Sequence, residues 1–113
     1  MRAALSRRVL LAAAALAGTS LVLPRMARAG EAAIELKVFA FVPATLTVPA
    51  GTKVTWTNRD DTPHTVTSSA KPPVFKSGAL DSDDSYSSVF DTPGTFGYFC
   101  SLHPHMQGTV IVT

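Results

Sequence analysis

From residue 30 to residue 113 the chain never sustains an apolar period of a helix; short β-branched and aromatic runs alternate instead with Pro, Gly, Asn and Asp. The runs are "IELKVFAFV" (34–42), "TLTV" (45–48), "KVTWTN" (53–58), "HTVTS" (64–68), "YSSVF" (86–90), "TFGYFC" (95–100) and "GTVIVT" (108–113). Turn chemistry separates them at "PAG" (49–51), "NRDDTP" (58–63), "DSDD" (81–84) and "TPG" (92–94). In "KVTWT" the apolar Val54 and Trp56 alternate with Lys53, Thr55 and Thr57, so one face of that strand is buried and the other is wet. The expectation is an all-β, Greek-key β-sandwich of about seven or eight strands, without internal repeats or a second domain.

The first 29 residues stand apart. Arginines, an apolar run from Val9 to Leu23 and the small-residue stretch "ARA" (27–29) read as a cleaved signal peptide. The "SRRVLL" segment (6–11) resembles a twin-arginine export signal. Export to a bacterial periplasm is the corresponding expectation, with residues 30–113 as the functional domain. An uncleaved anchor is the weaker reading, because the run is short for a span and has the wrong flanks.

Removing the leader reverses the charge. Lys37, Lys53, Arg59, Lys71 and Lys76 then face eight acids, a net charge of −3. A nucleic-acid partner needs a basic face, and residues 30–113 have none. They also contain no segment long and apolar enough to span a bilayer. So small a domain gains from any ligand that binds only its folded state.

One segment carries chemistry: "CSLHPHMQG" (100–108) holds the only cysteine, two of the three histidines and a methionine. A lone cysteine in an exported chain has no internal disulfide partner, which leaves it free, blocked, paired between chains or bound to metal. Cys100, His103 and Met106 together offer thiolate, imidazole and thioether, a soft set that favours copper; zinc sites use Cys, His and carboxylate. The remaining histidine, His64, begins a candidate strand after Pro63. Two imidazoles and a thiolate in a plane with a weak axial Met describe a blue-copper electron-transfer site. Taken singly, His64 reads as a turn histidine, Met106 as core filler and Cys100 as a small buried hydrophobe. Their joint spacing favours the metal.

The segments "VTWTNRDDTPHTV" (54–66) and "GTFGYFCSLHPHMQGTVIV" (94–112) resemble the two copper-binding segments of the cupredoxins, most closely the amicyanin-like group with its short C-x-x-H-x-x-M loop. The resemblance extends over nearly all of residues 34–113. It implies one type 1 copper ion held by His64, Cys100, His103 and Met106. It also implies supporting roles for Asn58, which would tie the loop of His64 to that of Cys100, and for Ser101, the residue met there. His105 matches a position that does not bind copper and reads as a surface residue, or else as a partner-contacting histidine that titrates near neutral pH. Leu102 stands where amicyanin-like loops carry proline, so its backbone N–H is expected to be free to reach the cysteine sulfur.

A coordination sphere filled by protein ligands leaves no open position for a substrate, so the chain is not expected to be an enzyme. The expected function is single-electron transfer by Cu(II)/Cu(I) cycling between redox proteins such as a c-type cytochrome, by a monomer; the resemblance implies His103 as the electron port and, by analogy with amicyanins, a periplasmic dehydrogenase as a further partner. The alternative is a periplasmic copper-delivery protein without a redox role. Copper reductases or oxidases need further histidines, and a cysteine hydrolase lacks any device to lower the thiol pKa.

Overall fold

The computed structural model describes residues 30–113; the leader assigned to residues 1–29 lies outside the described residues. Eight strands are present among them: β1 (Glu31–Leu36), β2 (Phe41–Val42), β3 (Thr45–Val48), β4 (Thr52–Asn58), β5 (Thr67–Ser68), β6 (Ser85–Phe90), β7 (Gly94–Cys100) and β8 (His103–Val112). They form two four-stranded sheets, ordered β2-β1-β4-β6 and β3-β8-β7-β5. The all-β sandwich expected from the turn spacing is the observed fold. Two of the pairings, β1 with β4 and β3 with β8, are parallel.

The inward rows follow the period of two. On β4, Val54, Trp56 and Asn58 are buried while Lys53 is exposed. On β8, Met106, Gly108, Val110 and Val112 alternate inward, and on β7 Tyr98 and Cys100 do the same. Trp56, with no exposed surface, contacts Phe75, Tyr86, Phe90 and Tyr98 at ring-centroid distances of 5.4–6.1 Å. Asn58, Cys100 and Met106 are therefore end members of core-facing rows. The chemistry is built where the core stops.

Two expected strands are interrupted. The run 34–42 breaks at Lys37–Ala40, where reciprocal backbone bonds (2.9 and 3.2 Å) close a hairpin that pairs Leu36 with Phe41. Val38 and Phe39 both take positive φ there, 54° and 55°. The run 64–68 becomes an isolated bridge, His64 to Leu80, followed by the short β5, whose Thr67 makes a second bridge to Lys76, because this side of the run pairs with a loop and not with a strand. The last strand starts earlier than expected, at His103, and so includes the site loop.

Candidate metal centre

Register builds the site. Along β7 and β8 the pairing runs regularly to Phe99–Gln107 and then jumps to Cys100–His103. Pro104, His105 and Met106 are the excess residues on β8, and such an irregularity re-aims side chains at a sheet end. It leaves Met106 buried, His103 half-buried and Pro104 and His105 exposed. From the other side, His64 is anchored through Leu80: its N–H donates to the Leu80 carbonyl (3.1 Å) and its carbonyl accepts from the Leu80 N–H (2.7 Å).

The ligand atoms of His64, Cys100 and His103 all lie within 4.8 Å of one another. Cys100 Sγ is 3.8 Å from His64 Nδ1 and 3.6 Å from His103 Nδ1. A sulfur about 2.3 Å and an imidazole nitrogen about 2.0 Å from one ion, at trigonal-planar angles, lie about 3.7 Å apart. The donor set thus fits a single ion in the plane of one thiolate and two imidazoles, with Met106 buried near the start of β8 to supply a thioether. His64 and Cys100 have no exposed surface. His105 is exposed and stands apart from the cluster.

The surroundings of these groups are specific. The Thr65 N–H donates to Cys100 Sγ at 3.3 Å. The expected donor, the Leu102 N–H, makes no hydrogen bond to that sulfur among the described residues, and the Leu102 side chain points to solvent. Thr65 Oγ1 accepts from the Ser101 N–H (2.8 Å) and shares bonds with the hydroxyls of Ser101 (2.9 Å) and Thr67 (3.2 Å). Ser101 is therefore tied to the histidine loop, but by Thr65. Asn58 does not reach it: its amide donates to the carbonyls of Thr62 and Leu80 (both 2.9 Å), and its Oδ1 accepts from the Asp60 N–H (2.8 Å). A side chain at the end of β4 can brace its own loop and the Leu80 segment. Thr65, next to the histidine, is the one in reach of the cysteine loop.

Two residues not singled out in the sequence complete the geometry. Asp60 Oδ2 lies 2.8 Å from His64 Nε2, and the Asp60 carboxylate accepts the N–H groups of Val38 (2.6 Å) and Phe39 (2.9 Å). Burial alone would raise the Asp60 pKa, but hydrogen bonds from Phe39, His64 and Val38 outweigh it and hold the carboxyl below its ordinary value. Phe39 stands edge-on to both imidazoles, with ring centroids 5.3 Å from His64 and 5.0 Å from His103. The four-residue spacing of Asp60 and His64 was the available signal for the first contact. Nothing in "KVFA" signals a turn.

Comparison with known proteins agrees with this geometry. A family model described as a cupredoxin-like domain matches residues 8–112. Amicyanin-alpha of Methylorubrum extorquens is 38% identical over 104 residues, covering 89% of this chain and 87% of that one. The chloroplastic plastocyanin of Tetradesmus obliquus is 39% identical over 121 residues, covering 97% and 83%. Among solved structures, a purple cupredoxin from Nitrosopumilus maritimus superposes with a TM-score of 0.67 at 33% identity, covering 73% of this chain and 99% of that one. With its sandwich, its His-Cys-His donor triangle and its buried methionine, the chain belongs to the cupredoxin family.

Proposed function

We propose that the protein is a type 1 copper electron carrier of the bacterial periplasm, acting as a monomer between redox proteins such as a c-type cytochrome and a dehydrogenase. The observation that carries this reading is the 3.6–3.8 Å spacing of one buried thiol from two imidazole Nδ1 atoms. His64, Cys100, His103 and Met106 would hold the copper, offering it two imidazoles, a thiolate and a thioether. Copper bound there supplies a one-electron couple, Cu(II)/Cu(I). The periplasmic assignment rests on the leader read in residues 1–29, and the kinds of partner on the likeness to amicyanins.

The residues have separate tasks. His64 is fixed by the Leu80 backbone at one end and by Asp60 at the other, and Cys100 by the Thr65 amide, so the donors stay in place whichever charge the site carries. Fixed donors keep rearrangement small on electron gain or loss. His103 is the one of these four residues that is not buried. It lies beside the half-exposed Leu102 and Phe39, which together give a weakly binding, apolar contact suited to brief encounters.

The test is the visible spectrum of the copper-loaded protein. An intense thiolate-to-copper band that bleaches and returns on reduction and oxidation, and is lost in Cys100→Ser, is expected. A colourless protein that hands its copper to an apo-acceptor would favour delivery.

A further inference from the structure

The Val38–Phe39 turn is costly. Hairpins with positive φ at both central positions use Asn-Gly or similar pairs, because a Cβ is strained there; a β-branched residue is an outlier. Val38 (φ 54°) and Phe39 (φ 55°) occupy both positions. Burial does not offset the strain, since Val38 is 82% and Phe39 52% exposed. Such strain persists only where neighbouring structure over-determines it, and it concentrates at functional sites.

Here the neighbour is one carboxylate. Asp60 Oδ1 takes the Val38 N–H and Oδ2 the Phe39 N–H, while Oδ2 also meets His64 Nε2. The carboxylate is itself aimed by the bond from its own N–H to Asn58 Oδ1. We propose that Asp60 is a positioning residue of the electron-transfer site: a single carboxylate fixes the far nitrogen of His64 and pins the Val38–Phe39 turn so that the Phe39 ring covers both imidazoles. The proposal rests on the copper reading above for its redox and copper-retention consequences only.

Two effects follow from the contacts. A carboxylate that accepts the Nε2 proton selects the tautomer with Nδ1 free toward Cys100 and makes His64 a stronger donor, which favours the oxidised ion. The Phe39 ring shields the imidazoles from water and from competing ligands.

The experiment uses the full chain with Asp60→Asn, Asp61→Asn and Phe39→Ala. Asp61 is the exposed acid next in sequence, so Asp61→Asn removes a charge without the contacts. In metal-free protein, Asp60→Asn is expected to speed amide exchange at Val38 and Phe39 at least tenfold relative to the Trp56 amide, with no change in Asp61→Asn. In copper-loaded protein, Asp60→Asn is expected to raise the reduction potential well beyond Asp61→Asn. Phe39→Ala is expected to speed removal of copper by a chelator severalfold. Unchanged exchange at residues 38 and 39, or equal potential shifts in the two Asp variants, would overturn the positioning role; unchanged chelator kinetics would overturn the cover. Should Asp60→Asn fail to fold, Asp60→Glu keeps the charge, displaces it by one methylene and is read on the same two amides. A wild type without the visible band would sink the copper reading, while the exchange measurement on metal-free protein would still decide whether Asp60 holds the turn.

Discussion

Two residues show how buried polar atoms behave when they have a partner and when they do not. Thr65 Oγ1 accepts the Ser101 amide at the part-buried edge of the site, so Thr65→Val removes that acceptor, at a cost of about 0.5–1.5 kcal/mol. Denaturant unfolding of the metal-free protein measures it, and Ser101→Ala, which removes only a rim hydroxyl and keeps the amide bond, is expected to cost clearly less. Tyr98 is the opposite case: its ring is buried among Phe41, Trp56 and Phe75, and its hydroxyl has no hydrogen-bond partner among the described residues. Burial pushes its phenol up to about 12, with the neighbouring Trp56 indole working the other way. A raised folded-state value means that the unfolded chain gives up its proton first as pH rises. The stabilisation is therefore complete below the ordinary tyrosine value and declines as pH rises from there through about 12. The full loss is on the order of 2 kcal/mol. Tyr98→Phe is expected to remove that alkaline decline and to cost little at neutral pH, because no hydrogen bond is lost; urea midpoints of both proteins at neutral and strongly alkaline pH check both statements.

At the scale of elements, the β7–β8 hairpin joins the core to the site, and Gly108 governs it. A Cβ at Gly108 would lie 2.4 Å from the Tyr98 ring, which crosses this position directly opposite in the register. Gly108→Ala forces the ring out of its place against Phe41 and Trp56, at a cost of about 1–3 kcal/mol. Because Tyr98 and Gly108 each lie two residues from a donor, Cys100 and Met106, the same substitution is expected to perturb the visible spectrum; a smaller ring-side residue, as in Gly108→Ala with Tyr98→Leu, recovers part of the stability if the clash is the cause. What the sequence made legible follows the same line between regular and irregular structure. The inward rows of β4, β7 and β8 and the C-x-x-H-x-x-M spacing depend on local periods, and they carried both the sandwich and the donor set. The Val38–Phe39 turn defied its residue types, because the Asp60 carboxylate that holds it comes from a distant loop. Thr65 had no signature either: its neighbour Ser101 lies 36 positions away, and the pairing of Thr67 with Phe99 and Ser68 with Tyr98 between β5 and β7 sets how the two loops meet.

Across the whole molecule the charges are sorted. The Asp81–Asp84 turn packs on the loop before His64, through the Asn58 N–H donating to the Asp84 carbonyl (3.0 Å) and the Asp83 N–H donating to the Asn58 carbonyl (2.7 Å). Glu35 joins them through Arg59, which also pairs with Asp83. Glu35, Asp60, Asp61, Asp81, Asp83 and Asp84 thus cluster on and around the loop before His64, with Lys37 and Arg59 among them. The ion pairs in this group are exposed and add little to stability, so the consequence of the arrangement is a field and not a fold. A field of this sign turns the site end toward a positively charged partner and repels an acidic one, acting on the encounter rate more than on the affinity. Electron transfer to a basic c-type cytochrome is therefore expected to slow as salt rises, over the range in which the screening length falls from about 30 Å to about 10 Å. Asp61 and Asp81 are exposed, and neither side chain is engaged in an ion pair among the described residues, so Asp61→Asn with Asp81→Asn should flatten that salt dependence while leaving the rate at high salt nearly unchanged. Stopped-flow mixing over a range of ionic strength measures both. A rate that rises with salt against the same cytochrome would show that the acidic end is turned away from the partner when the electron moves.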